Sequence, residues 1–354
     1  MKKNFKLLLT ALAFLILTMT GLAGFLAIRY VRTPVSQVAQ PVIFEVTPSM
    51  SFKSVSSELK KAGVISNAQL FYLYARLRGL RSMLRVGEYE LSTNMVPGQI
   101  LAVITSGKSR TKPFVFPEGF NIFEVAESFE KQGFGSKEEF LALATDKAFV
   151  KFLLGQEHET LEGYLFPETY LVTKFTTTKD VITAMVRRFQ TVYEEASKQN
   201  PLKNWTPHQI VTLASIVEKE TGAPQERKVI SSVFHNRLKK SMKLQTDPTI
   251  LYGIARQTGK LPKNIRKSDL LTPTKYNTYV IPGLPPGPIS NPGREAILAS
   301  MNPDNTEFLF FVSHNDGTHE FTKTYEDHNL AVRKFQIDPK ARAGKSWRDL
   351  KKSK

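Results

Sequence analysis

Two acids close one helix in this chain. Thr206-Pro-His-Gln opens it, and Ser215-Ile-Val-Glu218-Lys-Glu220-Thr-Gly222 ends it. Leu244-Gln245-Thr-Asp247-Pro-Thr249, Tyr276-Asn277-Thr-Tyr279 and Gly283-Leu-Pro-Pro-Gly-Pro-Ile-Ser-Asn-Pro-Gly293 follow. A helix C-terminus carries partial negative charge, so a carboxyl group there resists ionising and its pKa rises. A group that holds its proton near neutral pH suits a general acid. On position alone, solvated acids beside Lys219, Arg227 and Lys228 are the simpler reading. Asp247 precedes a proline, where it caps the backbone, contacts a ligand or supplies a second catalytic carboxylate. Tyr276, Asn277 and Tyr279 offer hydrogen bonds and ring faces, as sugar sites need, but buried tyrosines with satisfied hydroxyls look the same. The Gly283–Pro288 run is a rigid extended loop that either lines a groove or tightly joins two elements.

Other chemistries are disfavoured. Cysteine is absent, which removes disulfides, thiolate metal sites and cysteine nucleophiles. The six histidines are scattered and match no His-Glu-x-x-His spacing, so neither a metal nor another cofactor is expected. No Gly-x-Ser-x-Gly elbow and no phosphate-cradling glycine loop occurs.

The elements that must position these residues are legible in outline. Thr206 is a suitable N-cap, Pro207 fits the first helical position and Gln209 completes a capping box. Gly222 and Pro224 stop the helix. Ile210, Leu213, Ala214 and Val217 form its apolar stripe, and at about 100° per residue Glu218 and Glu220 fall on opposite borders of it. A long amphipathic helix is expected over residues 178–199, preceded by an aromatic strand or turn at Leu161–Tyr170. Phe308–Val312 reads as a buried strand and His319–Thr324 as its hairpin partner across Asn315-Asp-Gly317. A closing helix is expected over Tyr325–Phe335.

Further upstream, a weak repeat aligns Phe52, Val55, Leu59, Gly63, Ser66 and Leu70 with Ile122, Val125, Phe129, Gly133, Ser136 and Phe140. Each copy predicts an amphipathic helix, a glycine stop and a serine cap on the next helix. Leu84–Leu91 and Lys112–Phe116 alternate as strands do. Residues 33–41 form a proline-stiffened linker.

Leu7–Ile28 is an uncharged apolar run behind Lys2, Lys3 and Lys6. It is long enough for the roughly 30 Å hydrocarbon core. It exceeds the about 7–15 residues of a signal-peptide core, and no clean cleavage site follows, so a retained anchor is expected. The preceding lysines place the N-terminus in the cytoplasm and the rest outside, although Arg29 and Arg32 weaken the bias. The chain's net charge is +17. Most of this excess sits near the anchor and in the tail from Lys340, so the body is only mildly basic. The tail reads as a solvated end, and nucleic acid is not an expected partner.

Taken together, these motifs resemble the MltG/YceG-like family of endolytic murein transglycosylases. The residues that carry the resemblance are the anchor, Glu162-Gly-Tyr-Leu-Phe-Pro-Glu-Thr-Tyr170, Glu218-Lys-Glu-Thr221 and Ser232-Val-Phe-His-Asn-Arg-Leu238. Leu244–Thr249, Thr272–Tyr279 and Gly283–Pro288 complete it. The resemblance implies an α+β chain: an N-terminal membrane helix, small LysM-like α/β modules, then a mixed α+β catalytic domain. The boundaries expected are 1–32 for tip and membrane helix, 33–41 linker, 42–115 LysM-like module, 116–338 catalytic domain and 339–354 basic tail, with 116–155 open as a second module.

The implied activity cuts β-1,4 bonds between N-acetylmuramic acid and N-acetylglucosamine within nascent peptidoglycan strands, leaving 1,6-anhydro ends and terminating elongation. The implied location is the cytoplasmic membrane, single-pass, beside peptidoglycan synthases. The resemblance puts catalysis at the first acid of the pattern, Glu218; helix geometry does not choose between Glu218 and Glu220. Gln245, Asp247, Asn277 and Tyr279 are expected to hold the sugars. The alternatives are a hydrolase using Glu218 and Asp247 with water, and a non-catalytic wall-binding scaffold for synthases.

Overall fold

The computed structural model describes residues 2–200, 202, 204–262 and 264–338; the basic tail from 339 lies outside them. The N-terminal run forms one helix, α1 (Lys2–Arg32). Its segment Leu12–Arg32 is long and apolar enough to cross a membrane and is not buried inside the protein. A signal sequence near an N-terminus passes the same test, so by length and composition the helix is a candidate membrane span.

The chain packs as two compact units, residues 1–112 with 171–176, and residues 113–170 with 177–354. In the first, β1 (Pro41–Val46), α2 (Phe52–Lys61), α3 (Ala68–Leu77), β2 (Gly87–Ser92) and α4 (Pro97–Ser106) follow α1. β1 and β2 pair antiparallel with Phe44 opposite Tyr89 and Val42 opposite Leu91. Phe44, Tyr89 and Leu91 point into a core shared with Val55, Leu59, Phe71 and Ile100, as the two-residue alternation of strands and the three- to four-residue spacing of helices require. The cap of α3 is Asn67, whose side chain accepts from Leu70 N–H, and not the expected Ser66. Either side chain can cap, and the chain enters the helix one residue later.

β3 (Lys112–Val115) and β4 (Thr169–Val172) lie across the division between the units, and the second unit carries α5 (Ile122–Lys131), α6 (Lys137–Thr145) and α7 (Lys147–Leu154). Then come α8 (Thr178–Gln199), α9 (Pro207–Glu220), α10 (Arg227–Lys239), α11 (Asp247–Thr258) and α12 (Arg294–Met301). It closes with β5 (Phe310–Ser313), β6 (His319–Thr322) and α13 (Tyr325–Val332). β3 pairs with β4, and β5 with β6, so every sheet among the described residues has two strands. The chain is therefore a mixed helix-and-strand protein. In the second repeat copy Ile122, Val125 and Phe129 are core, and here the serine does cap the next helix: Ser136 caps α6.

α9 departs from the amphipathic expectation. Every residue from Ile210 to Val217 is buried, including Thr212 and Ser215. Such a helix is the centre of its unit rather than a surface element. Its buried hydroxyls are satisfied locally: Thr212 donates to His208 O and Ser215 to Thr212 O. Ser215 Oγ also accepts from Ile289 N–H, which straps the proline-rich loop across the helix. Thr206 caps the N-terminus with Gln209 as the sequence predicts. The two acids thus leave a rigid, fully packed rod.

Candidate active site

α9 ends between two differently built surroundings, and each takes one acid. Glu220 faces a cleft of about 470 Å³ that Arg237, Gln245, Asp247 and Tyr279 also line, with Phe310, Phe311, His319 and Tyr325 among its aromatic walls. The Thr246 hydroxyl donates to Glu220 Oε1. Burial pushes the Glu220 carboxyl up to about 7; the Asp247 carboxylate adds to this, while Thr246 and Arg237 oppose it. A group at that pKa holds and releases a proton with comparable ease near neutral pH.

The residues around it are fixed by a threonine cluster. Thr246 N–H donates to Thr278 Oγ1, Thr249 Oγ1 to Thr246 O, and the Thr249 and Thr278 hydroxyls lie 2.9 Å apart. Gln245 adopts φ 51°, a left-handed conformation that side-chain-bearing residues rarely take. Its N–H donates to Thr278 O, and Arg237 Nη1 reaches its Oε1 at 3.4 Å. Asp247 begins α11 rather than a free turn, with Pro248 in the first turn. Its Oδ1 accepts from the Tyr279 hydroxyl at 2.7 Å. Burial and this carboxylate raise the Tyr279 pKa.

Asn277 is placed differently. It is fully buried, and its amide donates to the carbonyls of Asp269, Leu270 and Thr272 while Oδ1 accepts from Tyr279 N–H. Its amide hydrogens are committed to the loop, so it positions Tyr279 and does not reach into the cleft. Tyr276 is buried edge-on against Tyr252 and borders a separate, smaller cavity.

Glu218 is not among the residues lining the cleft. Its Oε2 accepts from Gly293 N–H at 3.1 Å, and Arg227 Nη2 lies 3.7 Å from Oε1. Burial raises its pKa, which Gly293 opposes, the Glu118 carboxylate adds to, and Arg227 and Lys219 oppose. A Cβ at Gly293 would meet the Glu118 carboxyl oxygen at 1.9 Å, so any side chain there would displace the Glu118 carboxyl. Glu218, like Glu220, is thus a carboxyl whose pKa burial raises.

Arg237 was not singled out by sequence. Its Nε donates to Leu309 O and its Nη1 to the carbonyls of Lys243 and Leu244, and its guanidinium sits over the Phe310 ring. The signal was present: Arg237 continues the buried stripe Ile230–Val233–Phe234, where a cation needs a special reason. His319, also missed, lies 2.8 Å from Glu226 through Nδ1, and Glu226 Oε1 accepts its backbone N–H, fastening the β5–β6 hairpin. Among the described residues no group of three or more potential metal ligands comes together.

Glu162 is a third acid with a raised pKa. It is 2% exposed and burial pushes it up to about 8. It accepts from Ile122 N–H and Asn291 Nδ2, tying α5 to the proline-rich loop. An unfolded Glu titrates near about 4.3, so Glu162 contributes stability in full below that pH and loses it progressively as pH rises through about 8. Unfolding followed by Trp205 fluorescence is expected to show stability falling between pH 5 and 8 by on the order of a few kcal/mol. Glu162→Gln is expected to flatten that slope, and parallel wild-type and variant slopes would refute the assignment.

The fold and cleft define a class: a mixed helix-and-strand protein whose cleft presents two acids, Glu220 and Asp247, beside hydrogen-bonding and aromatic surfaces. Comparison with known proteins narrows this. The YceG-like family model matches residues 44–334, so the chain belongs to that family. An endolytic murein transglycosylase of Bacillus subtilis (strain 168) is 33% identical over 300 residues, covering 80% of this chain and 82% of that protein. One from Streptococcus pneumoniae serotype 2 is 29% identical over 311 residues, 79% of this chain but 56% of that protein. A yceG-like protein from Listeria monocytogenes has a solved structure matching with TM-score 0.54 at 32% identity, over 83% of this chain and 99% of that one.

Proposed function

We propose that this chain is a peptidoglycan lytic transglycosylase that cuts glycan strands internally and that Glu220 is its proton donor. The activity rests on family membership together with relatives that carry the name endolytic murein transglycosylase. The observation that carries the site is the Glu220 carboxyl, held at a pKa of about 7 in the cleft shared with Gln245, Asp247 and Tyr279. Family resemblance favours Glu218, which also has a raised pKa and whose Oε2 accepts from Gly293 N–H, so the choice of Glu220 rests on its place in the cleft.

In this reading protonated Glu220 gives its proton to the oxygen linking N-acetylmuramic acid to N-acetylglucosamine. The C1–O bond breaks and positive charge builds on the muramic ring. The Glu220 carboxylate then removes the proton of that sugar's C6 hydroxyl, whose oxygen attacks C1. No water is consumed, Glu220 regains its proton, and a 1,6-anhydro ring results. A tethered nucleophile can supply about 7–11 kcal/mol relative to a bimolecular attack, so a second catalytic carboxylate is dispensable. Asp247, fixed by Tyr279, faces the developing cation, and Gln245 offers an amide to the sugar. Asn277 supports this set through its loop.

The same reading includes anchoring by α1 with the N-terminus cytoplasmic, a glycan-contacting LysM-like module over 42–115, catalysis by 116–338 outside the membrane, and action on nascent strands beside synthases. A second reading, hydrolysis with water activated by Asp247, is favoured by one fact: Asp247 and Glu220 line the same cleft. Digestion of uncrosslinked glycan strands by the full chain in detergent separates the two by mass. Anhydro ends, one water lighter than reducing ends, on fragments of many lengths are expected. Hydrated ends would favour the hydrolase, and disaccharides alone would remove the internal mode of cutting.

A further inference from the structure

The first unit holds a helix that is apolar on two opposite sides. Phe71 and Ala75 turn one face of α3 into the core. Leu70, Leu73 and Leu77, spaced three and four apart, share another face, about 160° away at about 100° per residue. All three leucines are exposed, Leu77 at 77%. A helix apolar all round is ordinarily buried, so this outward face lacks its cover. The same stretch carries charge of one sign. Between Glu58 and Glu88 the sequence has Lys60, Lys61, Arg76, Arg78, Arg81 and Arg85 and no acid. Among the described residues the ion pairs of this unit are Lys61–Glu58 and Lys174–Glu45, so its four arginines here meet no carboxylate. Arg78 and Arg81 rest instead on the rings of Tyr74 and Tyr72. The position of this surface is set by α1. The Tyr30 hydroxyl donates to the carbonyl of Asn67, the N-cap of α3, and α1 packs against α3 and α4. The apolar run of α1 ends at Ile28. Tyr30 follows about 3 Å later, inside the headgroup layer of roughly 5–8 Å, and α3 starts beside it.

We propose that the leucine face of α3, with the arginines at 76, 78, 81 and 85, docks on the anionic phospholipid surface from which α1 emerges, an inference that rests on the reading of α1 as a membrane anchor. Leucines enter the boundary between headgroups and acyl chains, as the apolar face of an interfacial helix does. Arginine stems lie along the same boundary while their guanidinium forks meet lipid phosphates. Each cation near an anionic surface favours the docked state about fivefold. The surface need bind only weakly, because α1 already tethers it and makes docking intramolecular. A second copy of the chain on the same face would bring the same unneutralised cations together, which opposes it. Docking fixes how the first unit stands on the bilayer.

The chain has no cysteine, so one introduced thiol labels one place. Full-length Leu77→Cys, carrying an environment-sensitive dye, is reconstituted into vesicles rich in phosphatidylglycerol and into vesicles of phosphatidylcholine alone. Accessibility to an aqueous quencher gives the ratio of lipid-covered to water-exposed label. The label is expected to be covered in the anionic vesicles and open to water in the zwitterionic ones and in detergent. Adding Arg76→Gln/Arg85→Gln, both at exposed positions, should lower the ratio in anionic vesicles by on the order of thirtyfold, fivefold for each cation. A label open to water in anionic vesicles overturns the proposal. So does equal cover in both kinds of vesicle, which would leave the cations without a role. Cover in detergent that rises with protein concentration also overturns it, because a second copy is then the occupant. Leu22→Cys, inside α1, separates the two readings. If its label is covered while that at Leu77 is not, only the docking fails; if its label is open to the aqueous quencher, the anchor reading fails and takes the docking with it.

Discussion

Glu220→Gln is expected to lower kcat on glycan strands by about 10³-fold, within the 10²–10⁴ range of general acid–base catalysis, and to leave the fold intact. The substitution keeps the size of the side chain and an oxygen that can accept the Thr246 hydroxyl, so the local bonding survives. What disappears is the transferable proton. Glu218→Gln is expected to keep turnover within about tenfold of wild type, because its partners, Gly293 N–H and Arg227, are structural. Anhydro-end release by mass spectrometry measures both. The opposite ranking, with Glu218→Gln inert and Glu220→Gln active, would return the proton donor to Glu218. The pH profile is a second check. Glu220 must be protonated at the start, so kcat/KM should fall as pH rises through about 7. Its basic form arises during the reaction itself, so Glu220 contributes no acidic limb, whereas a hydrolase with a separate base would show one.

The choice between the two acids lies beyond helix geometry for a simple reason. Helical periodicity places Glu218 and Glu220 symmetrically about the α9 stripe. Only their distant partners break the symmetry: Gly293 and Arg227 for one, Thr246 and Arg237 for the other. Local grammar was otherwise a good guide. α8 spans Thr178–Gln199 as expected, the α9 capping box forms, and Asn315 and Gly317 turn the hairpin with positive φ. Asp247 illustrates the limit. Asp-Pro is equally consistent with a turn and with the first turn of a helix, and the choice depends on the Thr246–Thr249–Thr278 hydroxyl cluster, which is non-local. Asn277 likewise looked like a ligand because polar residues in loops usually do, yet three backbone carbonyls claim its amide.

Arg237 should separate stability from acid tuning. Its guanidinium satisfies the carbonyls of Leu309, Lys243 and Leu244, and burying those without a donor is costly. Arg237→Gln is therefore expected to destabilise by about 3 kcal/mol or more, since each orphaned buried group costs about 1–3 kcal/mol. The same cation lowers the Glu220 pKa. Removing it raises that pKa further, so the basic limb of kcat/KM should move to higher pH even as the protein weakens. Arg237→Lys retains the charge as a single point and loses the fork that reaches Leu309 on one side and Leu244 on the other. It should return the limb toward its wild-type position while recovering little stability. Denaturant midpoints and pH–rate profiles on the two variants measure the two effects independently. A lysine variant that restored stability in full would mean that charge, rather than the forked geometry, holds the β5 end against the Gln245 loop. A glutamine variant whose limb moved to lower pH would mean that Glu220 does not titrate beside this cation and is not the acid that sets the rate.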